Sequence, residues 1–265
     1  MTRLGGQIKI NRRDVRGQRP ISTVGMLVAV FAVSVGSIGL SVFGSSFGPA
    51  DIASATGATR AVEAVTTTGR QGAYYLPAGH ESRTLPLLVF FHGTGGKGSL
   101  AILRLRSYAE QKGFVVLAPD SVSVAGVWTI GQRPGDTTED RNHVMTCVRE
   151  VMAAPGVKIN LARVLAAGFS VGGNAAAYFA THEAIFTDLA VLHGHVAPGT
   201  VGFLRPRSWV SAGDRDRART VEYMRSVAED LRQQGFPKVE LRVFQADHTL
   251  QDEELTGLVA WWLGH

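Results

Sequence analysis

The chain has 265 residues, of which 45% are hydrophobic and 18% charged, and this composition excludes a disordered or fibrous protein. Its single cysteine, Cys147, excludes an intrachain disulfide. The net charge of +5 arises within residues 1–20, so the rest of the chain is neutral and lacks the basic face that nucleic-acid binding requires.

The N-terminal region has the pattern of a membrane-targeting segment. Residues 1–20 form a basic n-region, and residues 21–50 carry no charge. The apolar run is long enough to cross a bilayer, and small residues follow it. We therefore predict a cleaved signal peptide or a retained membrane anchor at 21–50. A linker at 51–64 and one folded domain at 65–265 should follow, in a protein that is exported and then secreted or anchored in the cell envelope.

Beyond this region, continuous apolar runs alternate with amphipathic stretches. Continuous apolar runs are typical of parallel strands covered on both faces, and Tyr74-Tyr75 is expected on an early antiparallel edge strand. The alternation predicts an α/β fold, with a mostly parallel doubly wound sheet in a single domain. In such sheets the active site lies at the carboxyl ends of the strands. The predicted strands are 85–91, 114–118, 163–167, 189–192, 208–211 and 239–244.

Apolar residues with helical spacing lie between these strands. The stripes fall within 144–152, 221–231 and 255–263. Cys147 is part of the first stripe and is expected to pack in the core. Thr249 and Asp252 have the spacing of a capping box, which predicts the start of the last helix.

A glycine-rich loop, 92–98, follows the strand 85–91. It reads HGTGGKG and lacks the GxxxxGK[ST] spacing of a phosphate-binding loop. It is similar to the H-G-G-G loops that place a backbone N–H near a reacting oxygen in some hydrolases. We assign that N–H to Thr94 and expect His92 to contact the substrate. Trp128, after the next strand, is expected either to line the substrate pocket or to be an exposed loop aromatic.

The sequence Gly168-Phe169-Ser170-Val171-Gly172 matches the G-x-S-x-G nucleophile elbow. An apolar strand precedes it and a helix-forming stretch follows, as the elbow requires. Glycine is needed on either side because a tight strand-to-helix turn leaves no room for side chains. Ser170 is the predicted nucleophile, and the backbone N–H of Val171 is the predicted second donor to an oxyanion.

A serine nucleophile needs a base, and the base needs an acid that orients it. In chains with this elbow the acid and then the histidine follow the serine. His248 follows the last predicted strand and is the predicted base. Asp214 and Asp216 both follow Gly213, at the end of the strand before. Hydrolases with this elbow usually place the acid three residues past the glycine that ends the strand, so this resemblance implies Asp216 as the acid, with Asp214 as the alternative.

The sequence His193-Gly194-His195 could suggest a metal site. Alternate residues of an extended chain point to opposite faces, however, and no cysteine or acidic cluster stands nearby in the sequence. We therefore predict no metal ion, and no cofactor.

Taken together, these motifs resemble the polyhydroxybutyrate-depolymerase-like and feruloyl-esterase-like branch of the α/β-hydrolases. The resemblance implies a secreted carboxylic ester hydrolase with Ser170, Asp216 and His248 as its triad. Ala246-Asp247 precede the base histidine, where the family often has two glycines. The resemblance is carried by HGTGG at 92–96, Trp128, 136–144, RVLAAGFSVGG from Arg163, and ADHTL at 246–250.

The expected activity is hydrolysis of small, aromatic or polysaccharide-linked esters through an acyl-enzyme. We expect no polymer-binding module, and no long insertion that could form a lid follows the strand 189–192. The same triad serves thioesterases, peptidases and acyltransferases, and a non-catalytic cell-surface binding protein could retain the fold. The expected partner is the ester substrate, and membrane contact is expected only through the N-terminal segment.

Overall fold

The computed structural model describes residues 57–61, 71–121, 126–130 and 138–264. The predicted n-region and targeting segment lie outside these residues. The strands are β1 (Ala58–Ala61), β2 (Gly72–Leu76), β3 (Leu85–Phe91), β4 (Val115–Pro119), β5 (Ile159–Phe169), β6 (Asp188–Leu192), β7 (Arg207–Gly213) and β8 (Val239–Phe244). The helices are α1 (Gly98–Lys112), α2 (Thr138–Ala153), α3 (Gly172–His182), α4 (Val221–Gln233) and α5 (Asp252–Leu263), and a short 3-10 helix spans His80–Ser82.

The strands form one eight-stranded sheet in the order β1-β2-β4-β3-β5-β6-β7-β8. β1 and β2 are antiparallel to their neighbours, and β3 to β8 are mutually parallel. The predicted mostly parallel sheet is confirmed. The carboxyl ends of β3, β5, β6, β7 and β8 therefore lie along the same edge.

Two predictions about the N-terminal edge of the sheet are wrong. Tyr74 and Tyr75 lie on antiparallel β2, but β1 pairs outside it, so β2 is not the edge strand. β1 falls within 51–64, which was predicted to be a linker. Its four side chains are exposed, and it joins the sheet through backbone pairing. It therefore has no apolar pattern by which the sequence could have indicated a strand.

Apolar side chains cover the sheet on both faces, as doubly wound sheets require. Along β3, Leu87, Val89 and Phe91 point to one face, where α2, α3 and α4 pack. Leu88 and Phe90 point to the other face, where α1 and α5 pack. This alternation explains why the strand is a continuous apolar run in sequence.

The helices agree with the predicted stripes in most respects. Cys147 is buried on α2, as expected for a packing residue. Burial is the main cause that raises the pKa of its thiol to about 12. Met152 ends the same stripe but is 37% exposed. α1 was not predicted. None of the helices in the described ranges is long and apolar enough to cross a membrane.

The predicted capping box of the last helix is wrong. α5 is capped by Gln251 and Glu254, whose side chains each bond the other residue's backbone N–H. Thr249 instead donates its hydroxyl to the Asp247 carboxylate at 2.7 Å. The shift by two residues places Glu254 in the first turn of α5, where it is fully buried.

Candidate active site

The elbow between β5 and α3 holds Ser170 in a strained backbone conformation. Its φ is +55°, a region that non-glycine residues seldom adopt. A Cβ on Gly168 would lie 2.0 Å from the carbonyl oxygen of Gly172, and one on Gly172 would lie 2.1 Å from that of Phe91. Both positions therefore require glycine, which is the steric reason for the G-x-S-x-G pattern.

Three strand ends bring Ser170, Asp216 and His248 together. The Ser170 hydroxyl donates to Nε2 of His248 at 2.9 Å, and Nδ1 of His248 donates to Oδ2 of Asp216 at 2.8 Å. The residues follow β5, β7 and β8 respectively. The serine is thus bonded to a base whose other nitrogen is oriented by a carboxylate, which is the arrangement needed to activate a hydroxyl nucleophile.

Asp216 and Asp214 have different partners. Oδ1 of Asp216 accepts the backbone N–H groups of Ala218 and Arg219, each at 2.8 Å, which fixes the carboxylate from the side opposite His248. Asp214 accepts the N–H of Ala246 at 3.0 Å and is partly exposed. Of the two candidate acids, only Asp216 is bonded to the base.

The hydrogen bonds also set the charge of Asp216. Burial raises the pKa of this carboxyl, but the hydrogen bonds from His248, from the backbone of Arg219 and from His193 outweigh burial and hold the pKa below its ordinary value. Asp216 is therefore a carboxylate at neutral pH. It can keep His248 in the tautomer whose Nε2 accepts the proton of Ser170.

The glycine-rich loop lies against the nucleophile. A Cβ on Gly93 would lie 3.3 Å from Cβ of Ser170 and 3.1 Å from the ring of Phe169, so a larger residue there would press on the nucleophile and its neighbour. Thr94 follows Gly93 directly and is exposed. Val171 is the N-cap of α3, immediately after the nucleophile. The two predicted oxyanion donors thus directly follow Gly93, which lies against the nucleophile, and the nucleophile itself.

His92 has a different place from the predicted one. It is 4% exposed, and its Nε2 accepts the backbone N–H of Ser121 at 3.1 Å. The proton therefore lies on Nδ1, which donates to the carbonyl of Gly93 at 2.7 Å. The prediction of a substrate contact is wrong: the imidazole ties the glycine-rich loop to the segment after β4.

Trp128 is a core residue, so the prediction that it lines the pocket is wrong, as is the alternative of an exposed aromatic. It is 1% exposed and packs edge-on against Phe91, with ring centroids 5.2 Å apart. Its indole N–H donates to the carbonyl of His92 at 2.9 Å. The sequence placed this residue in a loop, but a buried loop tryptophan with a hydrogen-bond partner is an ordinary way of filling a core.

Two residues at the site were missed by sequence reasoning. His193, after β6, is completely buried, and its Nδ1 lies 2.9 Å from Oδ2 of Asp216. Glu254, on α5, lies 3.3 Å from Nε2 of the same imidazole. No acidic cluster stands near this histidine in the sequence, and both acids, 23 and 61 residues away along the chain, are brought to it by the fold.

The grouping of His193, Asp216 and His248 could in principle hold a metal ion, since their ligand atoms lie within 4.8 Å of one another. The carboxylate, however, already accepts four hydrogen bonds: two from imidazoles on Oδ2 and two from backbone on Oδ1. These fill its lone pairs. The chemistry of the set therefore fits a hydrogen-bonded network rather than a metal centre.

The chain matches no known protein-family profile. No curated protein matches its sequence at a significant level. Among solved structures, an acetyl xylan esterase from Aspergillus awamori aligns with a TM-score of 0.62 and 15% identity, over 78% of this chain and 99% of that one. The fluorophosphonate-binding serine hydrolase F of Staphylococcus aureus gives 0.60 and 15%, over 78% and 98%. Esterase PE8 gives 0.55 and 20%, over 72% and 97%. This chain has the α/β-hydrolase fold.

Proposed function

We propose that this α/β-hydrolase-fold protein is a serine carboxylic ester hydrolase. The observation that carries the proposal is the continuous chain of hydrogen bonds from Ser170 through His248 to Asp216, at 2.9 and 2.8 Å. Solved neighbours described as esterases and a serine hydrolase support the same reaction class. A non-catalytic binding protein would have no need of a strained serine bonded to a histidine that a carboxylate orients.

In the proposed reaction, Oγ of Ser170 attacks the ester carbonyl carbon while Nε2 of His248 takes its proton. The backbone N–H groups of Val171 and Thr94 stabilise the negative oxygen of the tetrahedral intermediate. His248 then returns the proton to the leaving alcohol, and the acyl group stays on the serine. A water molecule, deprotonated by His248, cleaves the acyl-enzyme and restores the hydroxyl.

The proposed substrates are small, aromatic or polysaccharide-linked esters. The connection 193–206 between β6 and β7 contains no helix, so it provides no helical lid above the elbow. The side chain of His248 is 31% exposed, which suits a shallow site open to a bulky alcohol or sugar. The acetyl xylan esterase neighbour and the resemblance to polyhydroxybutyrate-depolymerase-like and feruloyl-esterase-like enzymes support this range of esters. The basic and apolar pattern of 1–50 supports export to the compartment where such polymers occur.

The proposal is tested with p-nitrophenyl acetate and butyrate, using the wild type, Ser170→Ala and Ser226→Ala. Ser226 is an exposed serine on α4 whose hydroxyl bonds its own helix, and it serves as the matched control. We expect Ser170→Ala to lose at least about 10³-fold in kcat and to resist labelling by a fluorophosphonate probe, because no other group can form the acyl-enzyme. Ser226→Ala should keep both properties.

A folded wild type that neither turns over these esters nor labels with the probe would overturn the proposal in favour of a binding protein. Faster turnover of acyl thioesters or peptides than of esters would retain the nucleophile and reject the substrate class.

A further inference from the structure

His193 is a buried histidine held between two acids, behind the catalytic carboxylate. It is 0% exposed and directly follows β6, with a backbone φ of +45°. Nδ1 lies 2.9 Å from Oδ2 of Asp216, and Nε2 lies 3.3 Å from Oε2 of Glu254. A completely buried imidazole in a strained backbone needs a reason, and its contacts supply one.

The hydrogen bonds of Asp216 require that Nδ1 of His193 carries a proton. Oδ2 of Asp216 faces both His193 and His248, while Oδ1 accepts two backbone N–H groups. A carboxylate has four acceptor positions and no donor, so each of these four partners must donate. Nδ1 of His193 is therefore an N–H, and its other nitrogen faces Glu254.

Both carboxyl oxygens of Glu254 accept hydrogen bonds, as those of a carboxylate do. Its Oε1 accepts the hydroxyl of Ser211. Its Oε2 accepts the backbone N–H of Gln251 in the capping box, at the positive end of the α5 dipole. A carboxylate opposite a bare imidazole nitrogen would be repulsive, so the proton between the two lies on Nε2.

We propose that His193 is a positioning residue of the reaction: held as an imidazolium between Glu254 and Asp216, it fixes the oxygen that orients His248 and sets the pH at which His248 works as a base. The inference rests on the proposed function. Burial opposes protonation of His193, but the hydrogen bonds and charges of Glu254 and Asp216 outweigh burial and raise its pKa above the ordinary value.

The effect on His248 follows from the charges that face it. The two imidazole rings lie 6.1 Å apart, so a positive His193 disfavours a second positive ring at His248. Glu254 contacts Nε2 of His193, the ring nitrogen other than the one that faces Asp216. Neutralising His193 should therefore let His248 take up a proton at higher pH, and less enzyme would be active in weak acid.

The test compares the pH profile of kcat/KM in the wild type, Glu254→Gln, His193→Asn and Asp252→Asn. Glutamine keeps the size of Glu254 but can donate to Nε2 and so leaves His193 neutral. Asparagine keeps a donor toward Asp216 and tolerates the positive φ. Asp252 is the matched control: it lies in the same first turn of α5, has a 66% exposed side chain and pairs with Arg104, so its amide removes an equal charge without touching His193.

We expect the midpoint of the acid limb to move upward by at least about half a pH unit in Glu254→Gln and His193→Asn, and to stay in place in Asp252→Asn. A purely structural role would lower Tm without moving this midpoint. Unchanged acid limbs in both site variants would overturn the proposal, and so would an equal shift in Asp252→Asn.

The charge of His193 is measured separately by ¹⁵N–¹H correlation of the imidazole groups at neutral pH, with the signal assigned by its loss in His193→Asn. The wild type should show both ring nitrogens of His193 protonated, and Glu254→Gln should show only one. A neutral ring in the wild type overturns the proposal. If the wild type has no esterase activity but His193 is doubly protonated, the proposed function fails while the charged histidine stands.

Discussion

At the scale of single residues, two aspartates two positions apart differ in what they contact. Asp216→Asn should lower kcat by about 10³- to 10⁴-fold, because an amide cannot stabilise the protonated base or hold it in the required tautomer. Asp214→Asn should stay within about threefold of the wild type, since this side chain bonds the backbone of Ala246 rather than the histidine. Steady-state kinetics with a chromogenic ester decide between them. A comparable loss in both variants would contradict the assignment of the acid.

At the scale of elements, the site depends on how closely β5, β3 and α3 approach one another. Gly172→Ala places a Cβ 2.1 Å from the carbonyl oxygen of Phe91, so the elbow must move. We expect kcat/KM to fall by at least about 100-fold, because displacements near 1 Å cost that much. Gly257→Ala, inside α5, meets no atom closer than 3.5 Å and should stabilise the protein by about 0.5–1 kcal/mol through helix propensity. Thermal unfolding and ester hydrolysis test both variants, and full activity in Gly172→Ala would refute the steric account.

At the scale of the whole molecule, the shifted pKa values of Asp216 and His193 predict how the free energy of unfolding depends on pH. The folded pKa of Asp216 is lowered, so the stability it contributes is present above its ordinary pKa of 3.8 and is lost as pH falls through the folded value. His193 has a raised pKa, so its contribution is present below 6.5 and is lost as pH rises through the folded value.

Urea unfolding from about pH 3 to about pH 8 checks the prediction for Asp216. The difference in free energy of unfolding between the wild type and Asp216→Asn should be largest near neutral pH and shrink in acid. A difference that stays constant over this range would show that the hydrogen bonds of Asp216 do not lower its pKa in the folded protein.

The sequence by itself determined the features that local patterns encode. Continuous apolar runs indicated parallel strands, and the glycines around Ser170 indicated the elbow because no larger residue fits that turn. The order of strand ends along the chain was enough to propose Asp216 and His248. All of these depend on neighbouring residues or on chain order.

Only the tertiary structure decided what depends on side chains meeting across elements. His193 and Glu254 are 61 residues apart and meet because α5 packs against the face of the sheet near the end of β6. Contacts between elements also decided three other points. They show that Asp216 rather than Asp214 bonds the base, that Trp128 is buried, and that His92 ties the glycine-rich loop to the segment after β4. The pairing of β1 was equally hidden, since its side chains are exposed and it joins β2 through backbone hydrogen bonds, which leave no apolar pattern in the sequence.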